Sequence, residues 1–132
     1  MEVTSHFIQH TDFSSSEGEP LTHEEASRLM RQPHWEEELA QCKPEDEAGE
    51  TWCRPNFSII AEDGSRFQVV FLPEGKAYFT YAFKEKWVSF LPFANTRFQS
   101  SPPMAREKME KALRCFYAGE HGRLMEWGYE KA

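Results

Sequence analysis

Histidine and cysteine are the natural places to look for chemistry in this 132-residue chain, which carries five of the first and three of the second. His6 and His10 stand four apart. On a helix that spacing would bring two imidazoles to one zinc ion. Val3, Phe7 and Ile8, set among Thr4, Ser5 and Thr11, read as a strand instead. On a strand the two rings share a face about 13 Å apart, too far for one ion. No cysteine or acid completes a ligand spacing, so no metal is expected. His34 precedes Trp35 and Glu36-Glu37-Glu38, and a carboxylate beside an imidazole can make a general base. Sequence neighbours on a helix do not face each other, however, and no nucleophile lies close by. His121, in Glu120-His121-Gly122, reads as a loop or helix-end residue. Cys42, Cys53 and Cys115 form no Cys-x-x-Cys pair. Phosphate loops, nucleophile elbows and His-Glu-x-x-His are all missing, so no catalytic residue and no cofactor is expected.

A stronger signal comes from the acids. The segment from Glu36 to Glu50 holds Glu36, Glu37, Glu38, Glu45, Asp46, Glu47 and Glu50 against one lysine, Lys43. Trp35 and Trp52 flank it. Charge runs are commonly solvated loops. The functional reading is a negative patch that steers a cationic protein, with a tryptophan as the buried anchor. These nine residues are the expected partner-binding set.

The elements that would position them centre on the stretch from Asn56 to Gln99, which reads as a four-stranded antiparallel meander. Its strands are Phe57 to Glu62, Arg66 to Leu72, Lys76 to Phe83 and Trp87 to Phe93. Asp63-Gly64 and Pro73-Glu74-Gly75 are turn signals with a mechanism: glycine takes positive φ, and proline presets its own. Neither face is cleanly polar, since Ile60, Val70, Leu72, Tyr78, Val88 and Phe90 line the second. Either helices cover both faces or one face meets a partner.

Glu2 to Asp12 is a further strand that would pair with an edge, and Phe13 to Pro20 a loop. Thr22-His23-Glu24-Glu25 is a capping box that opens a helix to Gln32. A second short helix follows Pro33, from His34 to Gln41, and then an irregular acidic loop from Cys42 to Arg54. Ser100-Ser101-Pro102-Pro103 reads as the start of a helix to Ala118, closed by Gly119. Glu120 to Tyr129 is a terminal helix. The expected fold is α+β, the meander packed with N- and C-terminal helices in a single domain.

The formal charge is −7 and is unevenly spread. Residues 1–54 hold 13 acids and 4 bases, while residues 55–132 hold 9 acids and 11 bases. Such a chain repels phosphates and anionic lipid, which argues against direct nucleic-acid or membrane binding. No apolar run spans a bilayer and no export signal opens the chain, so a cytoplasmic protein with reduced thiols is expected; Cys42–Cys53 would bridge only in an oxidising compartment. The function expected is a non-enzymatic protein-binding module. Its sharpest form is an inhibitor of the kind bacteria use as immunity proteins, neutralising a basic toxin or effector. The alternatives are a small-molecule binder or enzyme with a pocket lined by Tyr78, Tyr81, Trp87 and His6 or His10, and a homo-oligomeric adaptor or chaperone subunit, such as a homodimer, joined through the second sheet face.

Overall fold

Three alternating runs build the centre: β3 (Asn56–Ala61), β4 (Arg66–Leu72) and β5 (Lys76–Lys84). The computed structural model describes residues 2–41, 53–84 and 96–129. Around this meander lie β1 (Val3–Gln9), β2 (Ser15–Gly18), α1 (His23–Met30), α2 (His34–Gln41), β6 (Thr96–Ser100), β7 (Met104–Ala105), α3 (Arg106–Ala118) and α4 (His121–Tyr129). The sheet is antiparallel in the order β2-β1-β3-β4-β5-β6, with β7 beside β5. This is the α+β fold read from the sequence.

The register puts Phe57, Ile59, Phe67, Val69, Phe71, Phe79 and Tyr81 on one face. All are buried, in one cluster with Ala26 and Met30 of α1, Trp35 and Leu39 of α2, Met109, Leu113 and Phe116 of α3, and Leu124 of α4. Rings fill the interface: Trp35 stacks on Phe71 at 4.4 Å between centroids, and Phe116 lies 5.5 Å from Phe67. The second face carries Phe7, Ile60, Leu72 and Tyr78, all partly exposed, and Val70 and Ser58, which are buried; no described helix contributes a buried side chain to it. A polar ladder crosses it. Gln68 Nε2 donates to Asn56 Oδ1 (3.0 Å), and Asn56 Nδ2 donates to Gln9 Oε1 (3.4 Å).

Local signals set most element ends. Glu25 N–H donates to the Thr22 hydroxyl and Thr22 N–H to the Glu25 carboxylate, so the capping box is formed. Gly119 ends α3 in the left-handed conformation at φ 74°. Three expectations need correction. The run from Phe13 to Pro20 is not all loop: Ser15–Gly18 pairs with β1 as an edge strand. All four of its residues are exposed, so no hydropathy alternation marked it. Thr96–Ser100 is a strand that the sequence reading did not mark, and it pairs with β5. The strand expected from Trp87 to Phe93 lies outside the described residues. Finally, α3 begins at Arg106, and its N-cap Ala105 makes no side-chain bond. Ser101-Pro102-Pro103 instead carries the chain on along β5. The prolines offer no N–H, and Ser101 bridges the gap: its N–H donates to Phe79 O and its hydroxyl accepts from Phe79 N–H, both at 2.9 Å. The remaining edge of β5 outweighs the local preference for an early helix start.

Two hairpins close with the same turn. His10 N–H donates to Ser14 O (2.8 Å) and Phe13 N–H to His10 O (3.0 Å); Ala61 N–H donates to Ser65 O (2.9 Å) and Gly64 N–H to Ala61 O (3.0 Å). Asp12 Oδ1 accepts from the Ser14 amide and hydroxyl, as Asp63 Oδ1 does from Ser65. The Ser14 hydroxyl, then its amide, hold Asp12 below the usual carboxylate range. Burial would raise Asp63, but the Ser65 hydroxyl and amide outweigh it and leave Asp63 low as well. A carboxylate held low by folding contributes stability above its unfolded pKa, and loses it as pH falls through the folded value.

Two outcomes follow. Phe79→Ala or Phe116→Ala should cost about 3–5 kcal/mol in urea unfolding; a near-wild-type midpoint would remove that residue from the core. Below about pH 4 the wild-type urea midpoint should fall more steeply than that of Asp63→Asn, whose amide does not titrate. Parallel pH profiles would show that this turn is not linked to protons.

Candidate functional site

The chain that enters α2 is turned by Pro33, whose carbonyl accepts from the Glu36 and Glu37 amides. An amphipathic turn follows, so the four residues Trp35 to Glu38 point in different directions. Trp35 is fully buried against Phe57 and Phe71, and its indole N–H donates to Leu29 O at 2.7 Å. It belongs to the core and is not available to a partner, which corrects its place in the expected set. Glu36 forms an ion pair with Arg106 at 2.6 Å. That guanidinium also donates to Leu72 O (3.2 Å) and covers the Phe71 ring, so the pair joins α2 to α3 and β4. Glu37 is exposed.

Glu38 turns inward, its side chain only 14% exposed. It accepts from His10 Nδ1 at 3.0 and 3.1 Å and from the Thr11 amide at 3.0 Å. His34 Nε2, one helical turn back, lies 3.8 Å away. The Thr11 carbonyl accepts from the Cys53 amide, and the Cys53 thiol donates to His10 O, each at 3.0 Å. Residues 10–14 are thereby clamped from α2 on one side and from the lead-in to β3 on the other.

This cluster has half of a catalytic constellation. A carboxylate at Nδ1 holds the proton there and leaves Nε2 of a neutral His10 as the acceptor, which is the arrangement of a general base. Among the described residues the other half is not assembled. The Cys53 thiol points at a backbone carbonyl, and burial pushes its pKa up, away from a reactive thiolate. Burial likewise raises Cys115. Among the described residues no three His, Cys, Asp or Glu side chains converge on a metal position. Nor do the expected pocket residues come together. Tyr78 and Tyr81 lie on opposite sheet faces. Tyr81 is packed under α4 with its hydroxyl 2.9 Å from His121 Nδ1, and burial pushes it up to about 12. His6 contacts the carbonyl of Glu19 at 2.5 Å, away from His10. Trp87 lies outside the described residues. A surface groove of about 490 Å³ between α1 and α3 is lined by Arg28, Arg31, Lys111 and Arg114 together with Glu24, Glu107 and Glu110.

Of the nine expected partner-binding residues, Glu45, Asp46, Glu47, Glu50 and Trp52 lie outside the described residues. Of the other four, Trp35 and Glu38 face the interior, Glu36 is paired and Glu37 is exposed. Sequence reasoning missed the His10–Glu38 tie, which spans 28 residues. The only available hint was the i,i+4 spacing of His34 and Glu38. No family model matches the chain, nor does any curated protein or solved structure.

The geometry separates three neighbouring glutamates. Glu37→Lys should stay within about 0.5 kcal/mol of wild type. Glu38→Ala should cost about 1–3 kcal/mol, because it leaves the Thr11 amide and the His10 ring without their acceptor. Urea unfolding together with exchange of the Thr11 amide reads both. Equal stability of the two variants would show that the Glu38 tie carries no weight.

Proposed function

We propose that this chain is a protein-binding module that recognises a basic protein partner through the acidic surface of its N-terminal half. Its sharpest form is an immunity-type inhibitor that covers the cationic cleft of a toxin or effector. One observation carries this reading. Residues 2–27 contain Glu2, Asp12, Glu17, Glu19, Glu24 and Glu25, all exposed, and neither lysine nor arginine. These acids lie on or beside the β1–β2 hairpin and the first turn of α1. Arg28 pairs with Glu24 at 3.8 Å and Arg66 lies over the Phe7 ring, so the surface is negative in balance rather than of one sign. Such a net negative surface raises the encounter rate with a cation, at modest cost to folding. The surface sits upstream of the acidic run first singled out, because Glu36 and Glu38 are engaged within the fold. Inhibition would work by occlusion and needs no catalytic group.

A second reading is favoured by a different feature. Phe7, Ile60, Leu72 and Tyr78 are partly exposed on the sheet face that no described helix covers, and a second copy would bury them.

A pull-down of interacting proteins at low and at high salt, with mass spectrometry, tests the first reading. The expected result is one stoichiometric basic protein released by salt, whose association rate falls at least tenfold when Asp12, Glu17, Glu19 and Glu24 are made Asn or Gln. Unchanged binding by that neutralised variant would end the acidic-surface proposal. Self-association by sedimentation, with no partner captured, would move the weight to the homo-oligomer.

A further inference from the structure

The fold builds one turn twice. Thr11-Asp12-Phe13-Ser14 and Glu62-Asp63-Gly64-Ser65 share the closing backbone bonds, the aspartate that caps the serine amide and hydroxyl, and a left-handed third residue. This is the three-residue hairpin loop in which a type I turn is followed by a residue at positive φ, the position that glycine fills without steric cost. Gly64 fills it at φ 86°. In the first hairpin the same position holds phenylalanine, at φ 70°. Folding alone selects against that residue. Its Cβ crowds the left-handed backbone, and the residue stays 43% exposed, the one large hydrophobic so exposed among the described residues. Glu74, at φ 65° in the turn between β4 and β5, is the other non-glycine residue in this conformation among the described residues; Phe13 differs from it in being a large apolar residue left exposed.

We infer that Phe13 is the aromatic anchor with which this chain docks into an apolar cleft on a basic protein. The inference rests on the acidic-surface reading above and names its central contact. The ring stands in an acidic setting, beside Asp12 and on the hairpin that carries Glu17 and Glu19. It is also presented rigidly. Glu38 holds His10 and Thr11 from α2, and Cys53 holds the His10 and Thr11 carbonyls. A pre-ordered aromatic loses little freedom on binding, and aromatic anchors are common centres of interface hot spots. The cognate surface would offer an apolar slot rimmed by lysine or arginine, with a guanidinium able to lie on the Phe13 face.

Phe13→Gly separates use from folding, since glycine suits the turn better. The full-length wild type and Phe13→Gly proteins would be panned in parallel against a phage-displayed random dodecapeptide library, and the enriched peptides measured by fluorescence anisotropy. The expected outcome is wild-type-selected peptides that combine Lys or Arg with apolar residues, bind Phe13→Gly at least tenfold more weakly, and are released by salt, while the thermal midpoint of Phe13→Gly equals or exceeds that of wild type. The reciprocal Gly64→Phe should lower the thermal midpoint. Basic, salt-released peptides that bind both proteins alike would overturn the role of Phe13 and leave the acidic-surface reading standing. Enriched peptides without basic residues, unmoved by salt, would overturn that reading and this inference with it. A Phe13→Gly protein less stable than wild type, a Gly64→Phe protein as stable as wild type, or no peptide enriched by the wild type over Phe13→Gly would each overturn the inference as well.

Discussion

The structure depends on the burial of aromatic rings on one face of its sheet. Phe57, Phe67, Phe71, Phe79 and Tyr81 present their rings to one layer, and all four described helices turn their apolar stripes to it. Ring on ring is an economical way to fill that space, because each aromatic removes a large area from water while ordering only two side-chain torsions. The consequence is a strict separation of roles. Trp35, which the sequence reading placed at a surface, is instead a plate laid over Phe57 and Phe71. The opposite face carries a polar ladder, Gln9, Asn56 and Gln68, beside the buried Ser58 and Val70 and a set of partly exposed apolar residues.

Charge is divided as strictly as hydrophobicity. Acids next to one another in sequence have different fates because a helix separates them by about 100° per residue. Glu36 goes to Arg106, Glu37 to solvent and Glu38 to His10 and Thr11. Two of the three are spent in joining α2 to the rest of the chain. The Glu38 tie is the more consequential. A carboxylate with little exposure needs donors for its lone pairs, and it finds them in the loop between β1 and β2. That requirement orders the turn of a hairpin whose outer strand, β2, is exposed throughout. The acidic surface of the N-terminal half is therefore displayed on a fixed scaffold.

The second β5 edge shows the same competition at backbone level. Two prolines would ordinarily mark a helix start, yet an unpaired strand edge beside a buried core leaves backbone groups that must be satisfied. The Ser101 hydroxyl takes the Phe79 amide, and the chain remains extended until Arg106.

Much of this was written in the chain itself. Period-two apolar runs and Asp-Gly or Pro-Glu-Gly turns specify β3, β4 and β5. Thr22 with Glu25, Pro33 and Gly119 mark helix ends, since each acts through bonds or torsions within a few residues. The absence of a catalytic motif and the acidic bias of residues 1–54 are properties of composition alone. What lay beyond sequence were features that depend on partners far along the chain. β2 is a strand because β1 lies beside it, and none of its own four residues signals it. Glu38 is internal because His10, 28 residues away, is brought to it. Trp35 is core because Phe71 is there to receive it. Phe13 looked like one more loop residue until the turn that it closes could be laid beside the one closed by Gly64. Local torsions and periodicities can be read from neighbours, whereas burial and pairing are set by which distant residues the packed sheet brings together.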